Sequence, residues 1–77
     1  MWRKGVKVTV IIEKDEFGYY AYCPELKGCH TQGDTLEEVL KNIKEAVELY
    51  LETLDQEEKK ILLNKEILTT SLEVPIA

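Results

Sequence analysis

The sequence predicts an α+β fold, with strands and helix in the chain order β-β-β-α-β and one long helix packed on one face of the sheet. Three observations carry this. Residues 6–13 alternate between apolar and polar, and a run rich in tyrosine follows a glycine-closed polar stretch at 14–18. Residues 35–54 then repeat apolar side chains at helical spacing, and residues 66–74 alternate once more.

In the first segment Val6, Val8, Val10 and Ile12 share one face, as a half-buried strand requires. Lys14-Asp15-Glu16-Phe17-Gly18 is a turn whose glycine can take a positive φ. Tyr19-Tyr20-Ala21-Tyr22-Cys23 is the second strand of a hairpin, since aromatic side chains suit a pleated surface. Pro24 has no N–H to give to a ladder and ends it. Pro24–Gly28 forms a turn, Cys29-His30-Thr31-Gln32 is long enough for a short third strand, and Gly33-Asp34 punctuates the chain before the helix.

Thr35 with Glu38 three residues later predicts a capping box. From there Leu36, Val39, Leu40, Ile43, Val47 and Leu51 fall on one stripe. Twenty helical residues span about 30 Å, close to the length of an eight-residue strand at about 27 Å, so one helix covers one sheet face. Residues 56–63 read either as a short second helix or as an extension of the first. Residues 66–74 place Leu68, Thr70, Leu72 and Val74 on one side and read as a last strand, stopped by Pro75.

Seventy-seven residues make one domain, taken as residues 1–77, with a thin core. The net charge of −5 disfavours direct nucleic-acid binding and suits a basic protein partner, although ordinary solubility charge explains it as well. The longest apolar run, Val10-Ile11-Ile12, is far too short to cross a membrane, and Met1–Gly5 is not followed by a signal-peptide apolar region. A cytoplasmic location is expected, with no membrane association.

A search for chemistry finds little. The four glycines are scattered, so no phosphate loop and no cofactor is expected. Cys23, Cys29 and His30 match no closed zinc pattern, and no metal is expected. Adjacent Cys29 and His30 point to opposite faces of a strand, which argues against a nucleophilic pair. Glu13 and Glu73 are the weak candidates for a metal-dependent nuclease, which needs several converging carboxylates. The expectation is a protein that is not an enzyme.

Two surfaces are candidates for partner binding. The sheet face opposite the helix carries Ile11 with Tyr20 and Tyr22, a mixed surface that suits either a partner or solvent. Glu48, Glu52 and Asp55 crowd the end of the helix against its macrodipole, which either a docking cationic partner or a well-solvated helix end explains. The thin core and open face also predict a homodimer or higher homo-oligomer.

The hairpin Lys14–Ala21 resembles that of HicB-like antitoxins, in which a charged turn with glycine precedes an aromatic strand. The run Cys23-Pro24-Glu25-Leu26-Lys27-Gly28-Cys29-His30-Thr31-Gln32-Gly33-Asp34-Thr35-Leu36-Glu37-Glu38 is similar to that family's signature, and Glu45–Leu51 to its helix. The resemblance implies a partial RNase H-like fold lacking its catalytic carboxylates. It also implies a role as an antitoxin that binds a small basic HicA-type toxin, an RNA-cleaving protein, and covers its active site. On this resemblance Gly18, Pro24, Gly28, Cys29, Thr31, Gln32, Gly33, Asp34 and Thr35 are structural residues. Many family members continue into a DNA-binding module; this chain ends at Ala77, so the expectation is a toxin-binding domain alone. Two other readings stay open: an orphan homo-oligomeric binding domain, and a residual RNase H-like nuclease.

Overall fold

A computed structural model describes residues 5–77. The elements run β1 (Ile11–Asp15), β2 (Gly18–Tyr22), β3 (His30–Gly33), α1 (Leu36–Glu52) and α2 (Gln56–Leu63). The strands form one antiparallel sheet in the order β1-β2-β3, and α1 packs against β2 and β3. The class is α+β, as expected.

The first strand begins five residues later than the alternation predicts. Ile11 pairs with Tyr22, so the next partners upstream would be Cys23 and Pro24. The Cys23 N–H is already given to the carbonyl of Cys29 at 3.0 Å, and proline has no N–H to give. The ladder therefore stops, although Val8 and Val10 still pack against the core. The N–H of Thr9 is taken instead by the carboxylate of Glu25, at 2.9 and 3.1 Å to its two oxygens.

The hairpin turn is Glu16-Phe17. The Asp15 carboxylate accepts the Phe17 N–H at 2.8 Å, and Gly18 takes φ 130°, a value that glycine alone adopts easily. The segment after β2 folds on itself: the N–H of Leu26 donates to the Cys23 carbonyl at 3.1 Å and that of Cys29 to the Leu26 carbonyl at 2.9 Å. These bonds turn Leu26 inward, where it is fully buried. The core is then Ala21, Cys23, Leu26 and Cys29 from the sheet side, against Val39, Ile43 and Val47 of α1.

Thr35 caps α1, its hydroxyl accepting the Glu38 N–H at 3.1 Å. The reciprocal half of the predicted box is displaced by one residue, because the Glu38 carboxylate accepts the N–H of Asp34 at 3.2 Å. The chain then breaks before a second helix. Asp55 and Glu58 form a complete capping box, with bonds of 2.8 and 3.1 Å, so residues 56–63 are a helix of their own and not a continuation of the first.

The expected last strand does not form: residues 66–74 hold no strand, and Leu68, Leu72, Val74 and Ile76 are 68–92% exposed. A strand needs a neighbour to bond, and no described strand pairs with this stretch. The described residues extend 55 Å along their longest axis, with a radius of gyration of 15.0 Å. A compact domain of this length has about 11 Å.

Candidate partner-binding face

Strand alternation decides which side chains reach the open side of the sheet. Ala21 of β2 is buried under α1, so its neighbours Tyr20 and Tyr22 point the other way. The register then builds two rows across that face: Ile11, Tyr22 and His30, and Glu13, Tyr20 and Gln32. Tyr20 lies at the centre. Its ring is 5.8 Å from that of Tyr22 and 5.7 Å from that of His30, both tilted, which are favourable aromatic separations.

Towards the hairpin tip the face becomes acidic. A groove there is lined by Glu13, Asp15, Phe17, Tyr20, Gln32 and Glu38. Phe17 is 86% exposed at its edge. The groove thus combines carboxylates with aromatic surface, which complements cationic and apolar groups in charge and contact. Phe17 escaped the sequence reading because it lies inside a polar turn. Its signal was an aromatic residue placed where a turn has no structural use for one.

The six residues singled out from the sequence divide between two sides of the molecule. Ile11, Tyr20 and Tyr22 come together on the open face. Glu48, Glu52 and Asp55 are exposed on and just after α1, which packs on the opposite face of the sheet. One flat partner surface does not touch both sets.

Several of the signature residues make close contacts within the fold. Gly33 approaches α1 so closely that a Cβ there would lie 2.8 Å from the Val39 nitrogen. Gly18 packs similarly against the carbonyl of Gly33, with a Cβ at 3.0 Å, and Gly28 takes φ 83°. Gln32 offers its carbonyl to the Asn42 amide at 3.0 Å, and Tyr50 of α1 donates its hydroxyl to the Lys27 carbonyl at 3.0 Å. Thr31 pairs with Ala21 on the helix side.

Cys29 is buried and His30 exposed, on opposite faces as the alternation requires. Burial pushes the Cys23 thiol up to about 11, with the Glu25 charge adding to it, and burial raises Cys29 as well. Both are free thiols of the core, protonated at neutral pH and poor nucleophiles. Burial opposes ionisation of Glu25 more than any single contact favours it, but hydrogen bonds from Thr9, its own backbone N–H and the Cys23 thiol together hold the carboxyl below its ordinary value. Among the described residues no group of three or more His, Cys, Asp or Glu side chains is placed to hold a metal ion. Glu13 stands on the open face, and Glu73 lies in the exposed tail. No described helix is long and apolar enough to cross a membrane.

The fold and face define a small α+β domain that keeps its buried polar groups for structure and presents an acidic, aromatic sheet surface. Comparison with known proteins identifies the class further. A family model described as "HicB_like antitoxin of bacterial toxin-antitoxin system" matches residues 8–74. The chain belongs to that family. It is 47% identical over 70 residues to a UPF0150 protein of Helicobacter pylori, covering 91% of this chain and 97% of that one. A UPF0150 protein of Synechocystis is 56% identical over 54 residues, 69% of this chain and 68% of that one. A third, from Thermoplasma acidophilum, is 54% identical over 57 residues, 73% of this chain and 83% of that one. No solved structure matches the chain.

Proposed function

We propose that this chain is an antitoxin that neutralises a small basic, RNA-cleaving toxin of HicA type by covering its active site with the open face of the sheet. The observation that carries the reading is Tyr20, held between Glu13 and Gln32 and stacked on Tyr22 and His30, beside the exposed Phe17. Carboxylates around an aromatic centre complement a cationic protein in charge and anchor it by contact area. Family membership supports the antitoxin role. The partial RNase H-like kinship belongs to this reading too, as does function as a single toxin-binding domain, without an enzymatic step, in the cytoplasm.

The test is a titration of the chain against a purified basic HicA-type RNA-cleaving protein from the same genome, followed by calorimetry and by protection of RNA from cleavage. Binding at one-to-one or another fixed ratio, with loss of cleavage, is the expected result. Absence of binding sinks the proposal.

A second reading, self-association into a homo-oligomer, is favoured by a separate observation. Leu68, Leu72, Val74 and Ile76 stand in water in the single chain, and a second subunit would remove them from it. This holds with or without a toxin.

A further inference from the structure

The tail has the sequence of a strand and the environment of none. Leu68, Thr70, Leu72 and Val74 alternate with Thr69, Ser71 and Glu73, yet no described segment pairs with residues 66–74. An alternating segment with unpaired N–H and C=O groups is stable in two settings: solvated, with its apolar side chains exposed, or added to a sheet edge.

The sheet has two edges, and they differ. At β3 the Gln32 carbonyl is bonded by the Asn42 side chain of α1, and Gly33 presses on the start of that helix. That edge is tied to the helix layer. At β1, among the described residues, Ile11–Asp15 pairs with β2 and with no other strand. Helix α1 lies over β2 and β3, and Ile12, on the helix side of β1, stays 37% exposed. The β1 edge therefore offers an open ladder and an uncovered apolar shelf beside it.

We infer that two copies of this chain exchange tails, residues 66–74 of each adding as a fourth strand along the β1 edge of the other. The alternation fits this placement. With Leu68, Leu72 and Val74 turned to the helix side they extend the Ile12 shelf, while Thr69, Ser71 and Glu73 join the polar open face. A twofold exchange is reciprocal, so each copy both gives a tail and receives one. Six large apolar tail side chains, three from each copy, leave water in the pair together with the surfaces they cover, on the way to the roughly 1,000 Å² expected of a specific interface. The exchange supplies the strand that the sequence pattern calls for and that the chain's own sheet lacks. This inference rests on the self-association reading above and gives it a mechanism.

The experiment uses the full chain. Sedimentation equilibrium measures the dimer constant of the wild type and of Thr70→Pro, which removes an N–H from the middle of the tail and leaves the body untouched. Isotope-filtered NOE spectra of a mixture of labelled and unlabelled chains then show which copy the tail contacts. A wild-type dimer, at least a tenfold weaker dimer in Thr70→Pro, and intermolecular NOEs between residues 66–74 and 11–15 are the expected results. A dimer that keeps its strength in Thr70→Pro, or tail contacts found only within one copy, overturns the exchange while leaving self-association standing. A monomeric wild type at tens of micromolar overturns both.

Discussion

Glu25 closes its carboxylate on the backbone N–H of Thr9, with one oxygen at 2.9 Å and the other at 3.1 Å. This side chain is buried and gives the Thr9 N–H the acceptor that the interrupted ladder does not. The contact holds the segment before β1 against the body of the domain.

The carboxyl of Glu25 titrates below its ordinary 4.5, so the sign of its pH effect follows. A lowered folded-state pKa contributes stability that is complete above the unfolded value and is lost as pH falls through the folded value. Thermal unfolding is therefore expected to be insensitive to this group from pH 5 to 8, and the midpoint to fall below pH 4.5. Replacing Glu25 by Ala should cost about 1–3 kcal/mol at pH 7 by leaving the Thr9 N–H without its acceptor, and should flatten that part of the acid limb. Denaturation at a series of pH values, on wild type and variant, measures both.

Gly33→Ala is expected to be destabilising despite its small volume. The added methyl would meet the Val39 nitrogen at 2.8 Å and its Cα at 3.1 Å, and both are backbone atoms of the first helical turn. Relief requires a shift of α1 away from β3, at a cost of about 1–3 kcal/mol. Urea unfolding with an unchanged m-value and a lowered midpoint is the expected outcome.

Binding of a basic partner should respond to the two candidate surfaces very differently. Tyr20→Ala and Phe17→Ala each remove exposed aromatic area, and are expected to weaken binding by about 1–3 kcal/mol with little change in thermal stability. Glu13→Lys and Asp15→Lys should slow association and reduce its salt dependence. Glu48→Lys and Glu52→Lys lie on the opposite layer and should leave affinity within about twofold. Calorimetry with the toxin at two salt concentrations separates the cases. The reverse ranking would move the interface to α1.

Asp55→Ala should uncap α2 and leave the sheet intact. The Asp55 carboxylate accepts the Glu58 N–H at 2.8 Å, and loss of such a cap costs about 1 kcal/mol. Because α2 makes its main core contact through Leu62, the change should appear as faster amide exchange over residues 56–63 with protection in β2 nearly unaltered.

Local rules carried much of the fold. The stop at Pro24, the cap at Thr35 and the stripe Val39, Ile43, Val47 follow from short-range stereochemistry and period, and the structure has them; the turn expected over Lys14–Gly18 is shorter, because Lys14, Asp15 and Gly18 join the strands and leave only Glu16-Phe17. The same alternation placed Ile11, Tyr20 and Tyr22 on one face before any contact was known. Where local pattern alone was used, it failed at the ends. Residues 6–10 and 66–74 alternate as strands do, but a strand needs a neighbour with free hydrogen-bonding groups, and among the described residues of the single chain no strand pairs with either segment.

What the sequence by itself determined is therefore the α+β class, the sequence of turns and caps, and the family. Each depends on residues close together in the chain. Tertiary structure decided the rest. It buried Leu26 of the Pro24–Gly28 turn completely, because three backbone bonds fold that turn inward. It gave Glu25 a partner sixteen residues away, and it left the tail 66–74 without a strand to pair with. Such pairings depend on which surfaces meet once the sheet and helix pack, and no periodicity along the chain encodes that.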